Sequence, residues 1–439
     1  MSEQPGSGYQ PKIRPGRRPD NTPDDDNRVE IGPTPLAFAE WAAAGLECPD
    51  LPAMRRFRLE RLGREIARRD LAGVLLFDPI SIRYATDTTH MQLWAAHNPF
   101  RACLVLADGH LVLWEYGGLK YMVDYNPLIS EVRGGASFFY FATGERTEEK
   151  AEIFARQVDE LVRAHAGANR RLAVDKIQIA GLRALDHLGL EVMDGEELME
   201  RTRTVKGPDE IKAMRCAMLA CEAAIAEMRE VAVPGVTEND VWAELHKGNI
   251  RRGGEWIETR ILASGPRTNP WFQECGPRVI RNNEILSFDT DLIGCYGMCA
   301  DISRSWFIGD GRPSNRQRDL HAVALDQIQY NMAQIRPGMT FKELSQACRP
   351  LPEAFVAQRY GSVFHGVGLC DEWPAIKYPI DWQARGYDGV IEPGMMLCVE
   401  AYIGEVGGPD GIKLEDQVLV TETGVENLTR CPFDPKLMG

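Results

Sequence analysis

The sequence predicts an α+β protein in which a mixed α/β domain precedes a second domain built on a largely antiparallel sheet. In the first half, segments with helical periodicity alternate with buried strands and a hairpin. In the second half, apolar or alternating runs lie between turns that contain Gly and Pro, and helices accompany them. The 439 residues are 44% apolar and 26% charged, which excludes a disordered or fibrous chain and suggests two or three domains.

The composition changes along the chain and divides it into three regions. Residues 1–35 are rich in Pro, Gly, Asp and Arg, and they predict a flexible N-terminal tail or one that wraps over a neighbouring subunit. Residues 36–205 form the predicted first domain, and residues 206–439 form the second. The junction lies directly before Gly207 and Pro208.

The first domain is predicted to contain two long helices, two strands and a hairpin. The charged, amphipathic segment 54–70 predicts a helix, and the apolar segment 71–78 predicts a buried strand. Two apolar runs flank Asp108-Gly109, which is a strong hairpin signal. Residues 144–167 predict a second helix that Gly167 closes, and residues 170–177 predict a further strand.

The second domain is predicted to open with a long helix at Pro208 and Asp209, because Pro and acidic residues suit a helix N-terminus. Thr237 and Asp240 resemble a capping box for the helix that follows. Further helices are expected near 315–335 and 341–359, and strands over 284–294, 301–311, 394–404 and 413–420.

The charge and the cysteine pattern limit the partners and the compartment. A net charge of −14 argues against nucleic acid or an anionic membrane as the main partner. No apolar run reaches the about 18 residues of a spanning helix, and the segment MSEQPGSGYQ lacks the apolar core of a signal peptide. The eleven cysteines include no CxxC pair, which favours buried thiols in a reducing cytoplasm.

Carboxylates lie inside the most apolar strands of the second half, where a single buried acid is costly. They are Asp289, Asp291, Asp301, Glu400 and Glu415. A regular strand would place Asp289 and Asp291 on one face, and His365 lies in a Gly-spaced apolar run. Oxygen ligands with one imidazole suit Zn, Mn, Fe or Co, so the pattern suggests a metal site. Taken singly, each acid also fits a strand edge or a turn, and the histidine also fits a core position.

The order Asp, Asp, His, Glu, Glu resembles the pita-bread metallohydrolases, which include methionine aminopeptidase, prolidase and creatinase. The resemblance covers roughly residues 50–439, and RTRTVKGPDEIKAMR is similar to the domain junction of that family. Six further segments resemble family blocks in the expected order: VPGVTENDV, ILASGPRTNP, CADISRSWFIG, FHGVGL, IEPGMMLCVEA and GIKLEDQVLVTETGVENLT.

Three places depart from the peptidase pattern. The spacing of the first two aspartates is altered, since Thr290 stands between Asp289 and Asp291 and an extra carboxylate is present. The second His that peptidases carry after the ligand His is missing, and Asp371 lies nearby. The His that peptidases carry after their SGxxxxxP segment is replaced by Trp271. Keeping the ligands while losing both histidines suggests chemistry other than hydrolysis.

The Asp-x-Asp pair and the run Cys-Asp-Glu-Trp-Pro after His365 resemble the dimethylsulfoniopropionate (DMSP) lyases built on the pita-bread fold. The resemblance implies an N-terminal creatinase-like domain, a C-terminal pita-bread catalytic domain and a homodimer. It also implies cleavage of DMSP, a small zwitterion, to acrylate and dimethyl sulfide by β-elimination. Two divalent transition-metal ions are implied, with iron favoured and zinc or manganese as alternatives. Their ligands would be Asp289, Asp291 or both, together with Asp301, His365, Glu400 and Glu415.

The resemblance suggests the catalytic base, and the chemistry of the substrate suggests the residues that would bind it. Asp371 would be the general base, and Tyr360 would act beside it by hydrogen bonding to the substrate carboxylate. Aromatic rings suit the sulfonium through cation–π attraction, and the candidates are Trp271, Tyr360 and Trp373. Trp94 and His97 form a second cluster in the first domain that could act from a partner subunit. Ordinary packing is the alternative for each of these aromatic residues.

Three other functions compete with DMSP cleavage. An Xaa-Pro dipeptidase or aminopeptidase would keep the ligands but would have to work without both histidines. A descendant that only binds small molecules would be expected to lose ligands, and this chain retains them. A creatinase-like hydrolase of another small cation is disfavoured, because creatinase does not retain the metal ligands.

Overall fold

The computed structural model describes residues 32–439. Residues 1–31 of the predicted tail therefore lie outside the described residues. The chain divides into two compact units. Unit 1 contains Asp50–Arg203, and unit 2 contains Gly32–Pro49 together with Thr204–Gly439. A short helix, α1 (Pro35–Ala43), opens the described chain and belongs to unit 2.

Unit 1 is a six-stranded mixed sheet with helices packed against it. Its helices are α2 (Leu51–Arg68), α3 (Pro79–Thr86), α4 (Gln92–His97), α5 (Tyr140–Thr143), α6 (Thr147–Ala166), α7 (Ile179–His187) and α8 (Glu196–Arg203). Its strands are β1 (Gly73–Leu76), β2 (Ala102–Leu106), β3 (Leu111–Trp114), β4 (Glu131–Arg133), β5 (Arg171–Val174) and β6 (Glu191–Asp194). They lie in the order β4-β3-β2-β1-β5-β6.

The elements predicted for the first half are confirmed. Asp50 caps α2 by accepting a hydrogen bond from the Ala53 backbone N–H at 3.0 Å. Strands β2 and β3 pair antiparallel around Gly109, whose φ of +88° suits a glycine in the tight turn. Gly167, with φ of +59°, follows α6 and ends it. The apolar face of α6, which includes Phe154, packs into the core beside the sheet.

Unit 2 carries its strands in antiparallel pairs throughout the described residues. Its further helices are α9 (Pro208–Val231), α10 (Glu238–Arg251), α11 (Asn315–Met332), α12 (Phe341–Ala347), α13 (Glu353–Val356) and α14 (Trp382–Arg385). Its strands are β7 (Trp256–Ile257), β8 (Leu262–Ser264), β9 (Glu284–Asp289), β10 (Leu292–Ile293), β11 (Cys299–Ala300), β12 (Ser303–Ile308), β13 (Phe364–Val367), β14 (Asp371–Ile376), β15 (Met396–Gly404), β16 (Gly411–Val420) and β17 (Val425–Asn427).

These strands form three sheets with the orders β11-β10-β7, β12-β9-β8 and β14-β13-β15-β16-β17. The longest strands, β15 and β16, are buried along their whole length. Helix α11 packs against them through apolar residues such as Ala324 and Ile328. The predicted helices over an antiparallel sheet are thus confirmed for the second half.

The capping box at Thr237 is confirmed. The Thr237 Oγ1 accepts a hydrogen bond from the Asp240 N–H at 3.1 Å, and the Asp240 carboxylate accepts one from the Thr237 N–H at 2.8 Å. The helix expected over 341–359 is wrong as a single element. Helix α12 ends at Ala347, and α13 begins only after Pro350 and Pro352, which disfavour helical conformation before them and remove backbone donors.

Within residues 32–439, no helix combines the length and the apolar character that crossing a bilayer requires.

Candidate metal centre

Strands from two sheets of unit 2 carry three of the five acidic residues singled out in the sequence. The expectation that Asp301 lies inside a strand is wrong, because β11 ends at Ala300 and β12 begins at Ser303. Glu400 in β15 and Glu415 in β16 lie directly opposite each other. His365 in β13 pairs with Cys398, two residues before Glu400, so the imidazole lies beside these two acids. Asp289 is the last residue of β9, opposite Ser303 in β12.

Asp291 joins this group through a turn, so the expectation of a regular strand through Asp289 and Asp291 is wrong. Strand β9 stops at Asp289, and Asp291 has a φ of +35°. The Thr290 hydroxyl fixes the turn by donating to the Ala300 carbonyl at 2.8 Å. Even so, carboxylate oxygens of Asp289, Asp291 and Asp301 lie within 4.8 Å of one another and form one candidate set of ligands.

A second candidate set overlaps the first at Asp301. It consists of Asp301, His365, Cys398 and Glu415, whose potential ligand atoms also lie within 4.8 Å of one another. The His365 Nε2 is 3.2 Å from Glu415 Oε1 and 3.5 Å from Asp301 Oδ2. The His365 Nδ1 is 3.1 Å from the Gly366 carbonyl oxygen. If Nδ1 donates to that carbonyl, the Nε2 lone pair faces the acids, as a metal-binding imidazole requires.

The acids perturb one another because they are buried together. Burial raises the pKa of Asp291 and of Asp301, and neighbouring carboxylates raise both further. Burial also raises the pKa of Glu400 to about 8, although Lys413 opposes the shift. Burial would likewise raise the pKa of Glu415, but the Lys413 ammonium and His365 hold it well below its usual range. Buried acids around one imidazole fit divalent cations, which would neutralise the charge that they share.

Lys413 is a site residue that the sequence reasoning missed. Its ammonium lies 2.6 Å from Glu415, 3.0 Å from Glu400 and 3.1 Å from Asp289. Its position two residues before Glu415 in one strand was the available signal, because such residues share a face.

Asp371 and Tyr360 both lie beside this cluster. Asp371 begins β14, its side chain is 50% exposed, and its Oδ1 is 3.6 Å from the His365 Nδ1. Partial burial raises the pKa of Asp371, whereas His365 opposes the shift. The Tyr360 ring centroid is 4.6 Å from the Lys413 Nζ, and burial raises the pKa of its phenol.

The two predicted tryptophans of this unit have different surroundings. Trp271 is 7% exposed, and its ring centroid lies 6.0 Å from the Lys413 Nζ. Trp373 packs with Phe341 at 5.0 Å and stacks on Tyr387 at 6.4 Å. The structure therefore brings Trp271 to the ammonium beside Tyr360 and gives Trp373 a separate set of aromatic contacts.

Phe272 is a second residue that the sequence reasoning missed. It is 60% exposed, and it stacks on Tyr360 with a centroid distance of 5.2 Å and an interplanar angle of 25°. Its φ of +73° is strained for a bulky residue, and such strain concentrates at functional sites. No sequence pattern signals a positive φ at a phenylalanine.

Trp94 and His97 belong to unit 1, in and at the end of α4. The Trp94 ring contacts Phe100 at 5.3 Å and His97 at 6.4 Å. The His97 Nδ1 is 3.2 Å from the Leu93 carbonyl oxygen of the preceding turn. Their contribution to substrate binding stays a prediction.

Comparison with known proteins places this site in a family. Residues 212–422 match the model of metallopeptidase family M24. A dimethylsulfoniopropionate lyase DddP from Roseovarius nubinhibens is 58% identical over 436 residues, which are 98% of this chain and 98% of the relative. A dimethylsulfoniopropionate lyase DddP from Roseobacter denitrificans is 57% identical over 438 residues, with the same coverage of both chains.

Solved structures support the fold. An Xaa-Pro dipeptidase from Bacillus anthracis superposes with a TM-score of 0.69 at 22% identity, over 86% of this chain and 98% of that one. At this level of identity the likeness shows the fold and carries no argument about the substrate. The predicted architecture, a creatinase-like N-terminal domain with a pita-bread domain after it, is confirmed.

Proposed function

The chain belongs to the family of the DddP dimethylsulfoniopropionate lyases, and from that premise we propose that it cleaves DMSP to acrylate and dimethyl sulfide. The observation that carries the proposal is 58% identity to a lyase of that name over 98% of both chains. The convergence of acids and His365 in unit 2 supports it, because this donor set suits divalent cations, and such cations would bind the anionic carboxylate of the substrate. The chain is therefore a carbon–sulfur lyase on a metallopeptidase fold.

The reaction is a β-elimination, and its atoms balance without an added reactant. A base removes a proton from the carbon next to the substrate carboxylate. The electron pair of that C–H bond becomes the new C=C bond, and the C–S bond breaks. The sulfur leaves with its bonding electrons as neutral dimethyl sulfide, and acrylate remains.

The donor set fits two divalent transition-metal ions and accepts iron, zinc or manganese alike. Iron is the proposed metal because of the resemblance to the DMSP lyases, with zinc or manganese as alternatives. The residues that would hold them are Asp289, Asp291, Asp301, His365, Glu400 and Glu415. When bound, such ions would hold the substrate carboxylate and stabilise the negative charge that proton removal adds.

Asp371 is the proposed base. Its half-exposed carboxylate can reach a substrate carbon while remaining at the edge of the cluster. A pKa above the usual range makes its carboxylate a better proton acceptor near neutral pH. Tyr360 is proposed to hydrogen-bond the substrate carboxylate and to orient it towards Asp371.

Aromatic rings are proposed to receive the dimethylsulfonium. Tyr360 and Trp271 lie at the cluster, and the exposed ring of Phe272 extends this wall through its stack on Tyr360. Trp373 is the further candidate in unit 2. We also propose that the enzyme is a cytoplasmic homodimer that acts on a small zwitterion. In this dimer, Trp94 and His97 of one subunit would complete the active site of the other.

The proposal is tested by mixing purified protein, loaded with Fe²⁺ under anaerobic conditions, with DMSP. Headspace dimethyl sulfide and acrylate are measured in the same vial. We expect equimolar products, and we expect His365→Ala to abolish both. His187→Ala, which alters an exposed histidine of α7, is the matched control and should retain activity.

An Xaa-Pro dipeptide incubated with Mn²⁺-loaded protein tests the competing peptidase. Hydrolysis of the dipeptide together with no dimethyl sulfide from DMSP would contradict the proposed lyase. We expect the reverse, because both peptidase histidines are missing and Trp271 stands in the place of one of them.

A further inference from the structure

A fixed ammonium lies among the ligands of the proposed metal centre. Lys413 is in β16, two residues before Glu415, so both side chains leave the strand on the same face. The lysine has no solvent exposure. Burying an ammonium is costly unless nearby acids compensate its charge and its N–H donors find acceptors.

Three carboxylates and one hydroxyl meet both needs. The Lys413 Nζ lies 2.6 Å from Glu415 Oε2, 3.0 Å from Glu400 Oε2 and 3.1 Å from Asp289 Oδ2. It also donates to the Ser303 Oγ at 2.8 Å. The three carboxylates belong to residues that are proposed to bind metal, so one ammonium contacts half of the proposed ligand set.

Two aromatic rings also lie close to the ammonium. The Tyr360 ring centroid lies 4.6 Å from the Lys413 Nζ, and that of Trp271 lies 6.0 Å away. Both distances are within the range of cation–π attraction. These rings therefore stabilise a cation that belongs to the protein itself, in addition to any role with the substrate.

The charges explain why such a cation is present. Within residues 32–439, every ion pair that a lysine or arginine makes with the five acidic ligands involves Lys413. Without it, Asp289, Glu400 and Glu415 would repel one another in a buried site. A divalent ion at the same oxygens would be repelled by the ammonium that lies beside them.

We propose that Lys413 is a positioning residue of the metal centre, which fixes the oxygens of Asp289, Glu400 and Glu415 and weakens the binding of the divalent ion nearest to them. Removing the charge then has two opposite effects. The metal-free protein loses stability, because the three acids are no longer compensated. The ion binds more tightly, because it replaces the missing charge.

The test is Mn²⁺ binding to Lys413→Met, with free Mn²⁺ measured by electron paramagnetic resonance, together with thermal unfolding with and without Mn²⁺. The proposal makes the site beside Lys413 the weaker of the two, so we expect the Kd of the weaker site to fall by about tenfold, equivalent to about 1.4 kcal/mol. We expect the Tm of the metal-free variant to fall below that of the wild type. Mn²⁺ should raise the Tm of the variant more than it raises the Tm of the wild type.

Two further variants separate charge from general packing. Lys413→Arg keeps the charge and should keep the wild-type Kd. Lys206→Met removes a buried lysine whose Nζ is 3.1 Å from Glu372, which is not a proposed ligand. It should lower Tm and leave Mn²⁺ binding unchanged. If Lys413→Met does not fold even with Mn²⁺, Lys413→Gln is measured against the same expectation.

An unchanged or higher Kd in the uncharged variant would overturn the proposal, as would equal tightening in Lys413→Arg. The inference rests on the proposed metal site. A wild-type protein that binds no Mn²⁺ would therefore overturn both the metal site and the role of Lys413. A wild type that binds Mn²⁺ and cleaves DMSP, with an unaltered Kd in Lys413→Met, would overturn only the role of Lys413.

Discussion

At the scale of single residues, the site depends on side chains whose properties come from their neighbours. Glu400 and Glu415 lie opposite each other in paired strands, yet burial raises the pKa of the first and Lys413 lowers that of the second. The acids and His365 were recognisable because charge inside an apolar strand is unusual. Phe272 was not, because an isolated phenylalanine is ordinary in sequence. Lys413 had one signal, its place two residues before Glu415, but a lysine in an alternating strand is ordinary by itself.

At this scale we predict that the Phe272 ring contributes to the binding of DMSP. Phe272→Leu keeps an apolar side chain of similar size and removes the aromatic face. We expect KM for DMSP to rise on the order of 2- to 30-fold, equivalent to about 0.5–2 kcal/mol, with a smaller change in kcat. Steady-state kinetics of DMSP cleavage measures both.

The control for Phe272→Leu is Ile380→Ala, which alters another exposed apolar residue of unit 2 and should leave KM unchanged. Phe272→Tyr keeps the aromatic face and should stay near the wild-type KM. A Leu variant with the wild-type KM would show that this ring does not contribute to binding of the cation.

At the scale of elements, the sequence predicted a helix end or a turn reliably where nearby side chains or a glycine determine it. Thr237 and Asp240 satisfy each other's backbone donors, and Gly109 supplies the positive φ of its hairpin. Periodicity was less reliable where tertiary contacts decide the outcome. It extended the strand through Asp291 and the helix through Pro350, and the structure breaks both elements.

At this scale we predict that the Thr237 cap of α10 stabilises the folded protein. Thr237→Ala removes the hydroxyl that accepts the Asp240 N–H, and it should lower the free energy of unfolding by about 1 kcal/mol. Urea unfolding followed by circular dichroism measures the change. Thr423→Ala, at an exposed turn, should stay within about 0.5 kcal/mol of the wild type. Equal effects of the two substitutions would count against the cap.

At the scale of the whole molecule, alternating and apolar runs were sufficient to predict two α/β-containing units and the antiparallel sheets of the second. These runs were not sufficient to place the proposed metal ligands in space. The approach of Asp301 to His365 depends on the pairing of strands that are distant in sequence, and spacing along the chain does not encode that pairing.

The stability of the molecule should depend on the pH through His321. This histidine in α11 is 1% exposed, and neither ring nitrogen has a hydrogen-bond partner among the described residues. Burial lowers its pKa from 6.5 to about 4; Asp434 opposes the shift, and Arg304 adds to it. The unfolded chain therefore takes up a proton at a higher pH than the folded protein does.

Because of this difference, the free energy of unfolding should fall as the pH falls from 6.5 to about 4. His321 should account for a decrease of about 3 kcal/mol at most. His321→Gln carries no titratable group and should lose this part of the pH dependence. Urea midpoints of both proteins, measured across that window, provide the comparison. Parallel pH profiles for the two proteins would contradict the assignment to His321.

The central claim is that the acidic cluster performs an elimination in which Asp371 removes the proton. The most direct test is the kcat for dimethyl sulfide release by Asp371→Asn, with the metal content per chain determined on the same sample. We expect kcat to fall by about 10²- to 10⁴-fold while the metal content equals that of the wild type. Dimethyl sulfide release at the wild-type rate from the fully metallated variant would contradict the claim.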